Sequence, residues 1–358
     1  MKICIFGVGR SGTTALYVLL QHIMLNTCKG PIDFVYEPFL RDKDTFNGKY
    51  HDVVENSGYV DSLSFEGIFN HLSLPLFIDN PAVYRDNLFL HNIFNPGDKG
   101  KHILVKFIRA NGRYPLINEI CPECQSIFVI RNPVDVVNSI LRRFSFYGGE
   151  FHRDDFPRFI KEISQGFNFS YPVNGIECQL EKELLFWFYM NQFALESIKK
   201  IGKEVLIICH EEYARNRPLH IRKICDYLNV DFAMEFLNVS SKSVGAITNK
   251  FEISEQEFEI FKKYLSEYFK LLDRYGIDFT LNEEEIFLKY NIVKTPLIRI
   301  RPFYGLHSRA ITRKFQALLR QKDNQLREKD ELIKKLEARL AELESRGVKG
   351  IPTTGIRE

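Results

Sequence analysis

The stretch Lys2–Leu20, KICIFGVGRSGTTALYVLL, constrains this chain more than any other. Ile3 to Phe6 is a short apolar run, of the kind a parallel sheet buries on both faces. Gly7 to Thr14 is a glycine-rich turn, and Ala15 to Leu20 begins a helix. Amides of such a turn, with those of the first helical turn, form a concave nest for phosphate. Gly7, Gly9 and Gly12 permit positive φ angles and close approach of an anion. Arg10 adds a charged donor fork, and Ser11, Thr13 and Thr14 add hydroxyls. The spacing Gly7-x4-Gly12 follows the kinase-type loop up to the point where that pattern needs a lysine; Thr13-Thr14 stand there instead. The same residues spell G-x-G-x-x-G, a dinucleotide fingerprint. On the loop alone, a nucleotide kinase and an NAD enzyme both stay open.

Three further strands with apolar character follow. Ile32 to Tyr36 ends in Glu37-Pro38, which places a carboxylate at the carboxyl end of a strand, where open α/β sheets bind ligands. A surface turn acid is the other explanation of Glu37. Residues 41–100 are less regular, with aromatics scattered among Asn, Asp, Gly and His, and fit an insertion carrying acceptor-binding loops. Its histidines and His102 lack ligand-like spacing. His102 to Ile108 contains Lys106, which is either snorkelling or turned toward the anion site. Ser126 to Ile130 runs into Arg131-Asn132-Pro133-Val134-Asp135 and a helix carrying Ser139. Pro133 suits the first helical position and Asp135 the first turn, so a second helix amino-terminus faces the sheet edge. Arg131 and Ser139 there can meet a second phosphate.

The two motifs together, Gly7-Val-Gly-Arg-Ser-Gly-Thr-Thr14 and Ile130-Arg-Asn-Pro-Val-Asp-Val-Val-Asn-Ser139, resemble those of the sulfotransferases that use 3′-phosphoadenosine-5′-phosphosulfate (PAPS). Neither a kinase nor an NAD enzyme predicts the second motif. The resemblance covers roughly residues 1–275. It implies that Gly9, Arg10, Ser11, Gly12, Thr13 and Thr14 hold the 5′-phosphosulfate, and that Arg131 and Ser139 hold the 3′-phosphate. Val205 to Tyr213 is similar to a late strand and Y-E-D-L turn of the family, with His210 and Tyr213 replacing the usual Tyr and Leu. Tyr36-Glu37-Pro38 resembles the branch acting on carbohydrate hydroxyls, which implies Glu37 as general base; Arg10 and the loop amides would stabilise charge developing on the transferred group and the leaving phosphate. Asn238 to Phe251 falls where relatives carry a loop over the nucleotide, with Lys242 and Lys250 as candidate ligands; a solvated basic loop is the alternative. No metal is implied, since there is no triphosphate to neutralise.

The expected fold is therefore α/β: a P-loop-like parallel sheet flanked by helices, with a C-terminal helical coiled-coil extension. Residues 1–285 would form the sulfotransferase domain. Between Ile286 and Lys322 there is no acidic residue, while Lys289, Lys294, Arg299, Arg301 and others alternate with aromatics. We expect a basic aromatic linker over 286–314, suited to an anionic membrane surface, an acidic glycan or solvent. Leu319, Leu326, Ile333 and Leu340 recur every seven residues, so 315–345 reads as a coiled coil that would make a homo-oligomer. Residues 346–358 read as a disordered tail.

Lys plus Arg number 49 and Asp plus Glu 46, a net charge of +3 that excludes general nucleic-acid binding for the whole chain. The seven cysteines are scattered and form no disulfide framework. Cys121-Pro-Glu-Cys124 stands alone, so it reads as a helix-to-strand turn and not a zinc or redox site. With a phosphate loop inside the first ten residues and no long apolar run, a cytoplasmic location is expected, with peripheral contact at the inner face of a membrane. The acceptor would be a glycan or glycolipid. A P-loop nucleotide kinase remains the competing enzyme. The non-enzyme alternative is a membrane-attached oligomeric scaffold with a vestigial nucleotide pocket.

Overall fold

The computed structural model describes residues 1–38, 74–95, 100–143, 155–164, 179–239, 251–288 and 290–293. Strand β1 (Lys2–Phe6) passes through the glycine turn into α1 (Thr13–Thr27), which leads back to β2 (Ile32–Tyr36). The described part of the 41–100 insertion holds a 3₁₀ turn at Pro81–Tyr84 and α2 (Leu88–Phe94). Next come β3 (His102–Phe107), a 3₁₀ turn at Asn111–Arg113, α3 (Tyr114–Ile120) and β4 (Gln125–Ile130). Helices α4 (Pro133–Arg143), α5 (Asp155–Ser164) and α6 (Gln179–Ile201) precede β5 (Val205–Cys209), α7 (His210–Arg215) and α8 (Arg217–Leu228). The last described elements are β6 (Phe251–Ser254), α9 (Glu255–Arg274), α10 (Glu283–Phe287) and β7 (Tyr290–Val293).

Five strands form one parallel sheet in the order β2-β3-β1-β4-β5, as the apolar runs predict. Ile3 through Phe6 have no exposed surface, because helices cover both faces of the central strand. Cys4 and Phe6 point to the side packed by α4, α6 and α9, with the Phe6 ring stacked on Tyr114 at 4.7 Å. Ile3 and Ile5 point to the side packed by α1 and α8. Helix α6 is buried nearly all round, and Trp187 at its middle meets Tyr268 of α9 edge to face at 5.7 Å. β1 is also where the strand order reverses, with β3 on one side and β4 on the other, so the carboxyl ends of β1 and β4 flank the usual ligand crevice.

Cys121 and Cys124 close the turn between α3 and β4, with the Cys124 amide donating to the Cys121 carbonyl at 3.0 Å. Both thiols are buried, and their mutual hydrogen bond and burial push Cys121 far up, out of the reactive range. Among the described residues no helix is long and apolar enough to cross a membrane.

The boundary expected at residue 285 is displaced. The first compact unit runs from Met1 to Leu297. Ile286, Phe287 and Tyr290 are buried, and β7 pairs in parallel with β6 in the register Phe251↔Tyr290 through Ser254↔Val293. The absence of acids after Ile286 suggested a basic aromatic linker suited to an anionic membrane surface, an acidic glycan or solvent, but the side chains of Ile286, Phe287 and Tyr290 belong to the core around α9. The rest of the proposed linker, the 315–345 coiled coil and the 346–358 tail lie outside the described residues, as do Lys242 and Lys250.

A chain ending at Asp278 would lose Ile286, Phe287 and Tyr290 from the core. At roughly 1.5–3 kcal/mol per buried side chain, the loss is on the order of 5 kcal/mol, which approaches the whole stability of an ordinary domain. Thermal unfolding should show that chain melting well below one ending at Leu297. Equal midpoints would refute the assignment of 286–293 to the core.

Candidate active site

The glycine turn sits at the carboxyl end of β1, folded on itself by the Ser11 amide, which donates to the Val8 carbonyl at 3.1 Å. Gly7 lies so close to β4 that a Cβ there would stand 2.5 Å from the Val129 carbonyl oxygen. Gly12 has φ +97° and precedes α1; a Cβ on it would collide with the His210 ring, which faces the turn from α7. The α1 amino-terminus has no side-chain cap and no acid in its first turn, which favours an anion there. Among the described residues the buried Ser11 hydroxyl has no hydrogen-bond partner, which suits an oxygen-rich ligand, and Gly9 and Thr13 are buried beside it.

The second motif lies at the carboxyl end of β4. Asn132 caps α4: its Oδ1 accepts from the Asp135 amide at 2.8 Å, and Pro133 follows at the first helical position. That helix end is therefore occupied by its own side chains, which leaves Arg131 and Ser139 as the candidate anion contacts of this motif. Arg131 donates to the Arg10 carbonyl at 3.2 Å and to Asp135 Oδ2 at 3.2 Å. Arg10 in turn donates from Nε to Ser139 Oγ at 3.0 Å. The two motifs thus touch in both directions, through Arg131 to the loop backbone and through Arg10 to α4.

Glu211, at the start of α7, lies beneath this junction. Its Oε1 accepts from Asn132 Nδ2 at 2.6 Å and from the Asn132 amide at 3.1 Å, and stands 3.9 Å from Arg131 Nε. Burial pushes the Glu211 carboxyl up; Arg131 opposes this and the Asp135 charge adds to it. Tyr290 of β7 donates its phenol to Asp135 Oδ1 at 2.6 Å.

Glu37 lies at the end of β2, nearly buried, with φ +48°. Its amide donates to the Lys106 carbonyl at 2.8 Å, which extends the β2–β3 pairing by one residue before the chain turns. Lys106 is buried, forms an ion pair and hydrogen bond with Glu37 Oε1, and holds its ammonium 4.1 Å over the Tyr36 ring. It is therefore buried on Glu37 and Tyr36 and does not snorkel. The Tyr36 hydroxyl lies 3.3 Å from Thr14 Oγ1. Burial, then the Glu37 charge, pushes the Tyr36 phenol up, so it stays protonated. Thr14, Tyr36, Glu37 and Lys106 thereby connect the donor loop with the carboxylate.

Among the described residues, three that are not glycine have positive φ: Arg10 at 72°, Glu37 at 48° and Asn229 at 55°. Asn229 ends α8, where that conformation is routine. Arg10 and Glu37 have no such excuse, and strained backbone of this kind collects at functional sites.

The structure thus brings Gly9, Arg10, Ser11, Gly12, Thr13, Thr14, Arg131 and Ser139 to one sheet edge, with Glu37 joined through Tyr36. The contacts of Glu211, Tyr290, His210 and Lys106 were not foreseen. Only Lys106 carried a signal, as a lysine inside an apolar strand.

The sequence profile described as "Sulfotransferase family" matches residues 2–234, more than half of the chain. No curated protein matches. Similar solved structures include the sulfotransferase domain from the Synechococcus PCC 7002 olefin synthase, at 12% identity, covering 78% of this chain and 95% of that one with a TM-score of 0.37. A sulfotransferase from Alicyclobacillus acidocaldarius is 16% identical, covering 78% and 96% with a TM-score of 0.39. The sulfotransferase domain from the curacin biosynthetic pathway is also 16% identical, covering 82% and 98% at 0.37. These likenesses are too low to carry a conclusion of their own; the profile match does carry one. The chain belongs to the sulfotransferase family.

Proposed function

We propose that this enzyme moves a sulfuryl group from PAPS to a hydroxyl of a carbohydrate or glycolipid. The observation that carries the donor is the junction of the two motifs, with Arg10 bound to Ser139 and Arg131 bound to the Arg10 carbonyl. That junction puts an uncapped helix end, an orphan hydroxyl and two guanidinium groups within one site. Two anionic groups of one nucleotide are what such a pair of basic motifs suits.

PAPS supplies an activated sulfuryl group and departs as adenosine 3′,5′-bisphosphate. The residues of the chain do the rest. Arg131 and Ser139 hold the 3′-phosphate. Arg10, Ser11 and the amides from Gly9 to Thr14 hold the 5′ side and offset charge that develops on the leaving phosphate. Glu37 takes the proton of the acceptor hydroxyl. Lys106 supplies the counter-charge that a buried carboxylate needs and keeps it oriented at the strand end. Tyr36 fixes the distance between that carboxylate and the donor loop through Thr14. A carboxylate base at this position supports a sugar hydroxyl as acceptor. Lys242 and Lys250 remain proposed donor ligands, on residues outside those described.

Calorimetry should show adenosine 3′,5′-bisphosphate binding without Mg²⁺ and more tightly than AMP. Arg131→Ala should remove most of that preference, since a hydrogen bond to a charged group is worth about 1.5–3 kcal/mol. Equal affinity of the unmutated protein for both nucleotides would sink the donor assignment.

Glu37→Gln keeps size but cannot accept the proton, so turnover should fall by roughly 10²–10⁴. Bisphosphate affinity, measured in the same preparation, should change little and shows that the site still folds. Near-normal turnover of Glu37→Gln would place the base elsewhere.

A further inference from the structure

We propose that Tyr290 is a positioning residue of the donor site, fixing the Asp135 carboxylate that aims Arg131 at the nucleotide. The proposal rests on Arg131 being the 3′-phosphate ligand. A guanidinium on a long flexible side chain selects a phosphate only if its fork is held in one orientation. Two hydrogen bonds hold this one, to the Arg10 carbonyl at 3.2 Å and to Asp135 Oδ2 at 3.2 Å, with Glu211 Oε1 3.9 Å from its Nε. The first anchor is backbone and fixed by the loop. The second is a carboxylate that must itself be held.

Asp135 is buried and has its two oxygens divided between two tasks. Oδ2 accepts from Arg131 and from Asn132 Nδ2, each at 3.2 Å. Oδ1 accepts the Tyr290 phenol at 2.6 Å, a short charge-assisted bond. Without that donor, Oδ1 would lose its short charge-assisted bond inside a buried site. The carboxylate would then gain by turning, and Arg131 would follow it. Burial, and after it the Asp135 charge, pushes the Tyr290 phenol up, so it remains a donor.

Packing holds the Tyr290 ring independently of this bond. β7 pairs with β6, and the ring meets Phe287 edge to face at 6.2 Å. Removing only the hydroxyl therefore leaves the strand in place. The register also sets Tyr290 opposite Phe251, the residue that follows the segment carrying Lys242 and Lys250.

The test is calorimetry of adenosine 3′,5′-bisphosphate and AMP on the full chain and its variants. Tyr290→Phe should weaken bisphosphate binding by about threefold to thirtyfold, the range for a lost buried hydrogen bond acting through one intermediary, and leave AMP binding unchanged. In an Arg131→Ala background, Tyr290→Phe should cost nothing further, because the residue it acts through is gone. Asp135→Asn removes the charge without changing shape and should reproduce the selective loss; it serves alone should Tyr290→Phe fail to fold. Equal weakening of both nucleotides, no weakening of either, or a persistent effect without Arg131 would overturn the role of Tyr290. If the unmutated protein shows no preference for the bisphosphate, Arg131 is not the 3′-phosphate ligand and both assignments fall. A preference that Arg131→Ala abolishes and Tyr290→Phe leaves intact overturns the positioning role alone.

Discussion

Arg131 carries a permanent charge into a site largely closed to water, and such a charge must be met by partners on the protein side. Much of the local architecture meets that requirement. The Arg10 carbonyl faces one nitrogen, which obliges the glycine turn to lie against β4. Asp135 faces another, which sets the first turn of α4. Glu211 lies 3.9 Å behind, which brings the start of α7 beneath the same point. Each of these groups is pinned in turn, Asp135 by Asn132 and Tyr290, and Glu211 by both donors of Asn132. Four sequence segments therefore converge around one guanidinium.

The Glu37–Lys106 pair is the corresponding feature on the other side of β1. Both side chains are nearly inaccessible, and removing either would strand its partner, typically a loss of about 3–5 kcal/mol. The Glu37 backbone adds strain with its φ of +48°. Buried ion pairs of this kind often stabilise a fold no more than well-packed hydrophobic residues of the same volume. Retention of a strained, buried charge pair at the mouth of the donor loop is consistent with work done on a substrate.

The sheet was legible because its strands are buried on both faces and so read as uninterrupted apolar runs, as in Ile3–Phe6 and Ser126–Ile130. The motifs were legible because their chemistry is local: a turn that needs glycine, and a helix start that takes Pro133 and Asp135. β6 and β7 were not. Each has only four residues, and lysines at 289 and 294 flank the second, so composition pointed to a basic surface segment and not to a strand. The pairings of charges were equally hidden. Glu37 and Lys106 are separated by 69 positions and Asp135 and Tyr290 by 155, and no spacing rule says which distant groups meet.

That last separation has a consequence for biosynthesis. Asp135 leaves the ribosome 155 residues ahead of the phenol that will hold it, a delay of roughly 8–30 s at ordinary elongation rates. In the interval the nascent chain can assemble its five-stranded sheet, because β1 to β5 all lie upstream. It cannot assemble the β6–β7 pair or complete the donor for Asp135. The sheet is thus available before the candidate site is finished. For that period the emerging polypeptide carries a buried carboxylate short of one partner and an uncovered edge around α9, the kind of exposed apolar surface on which chaperones act.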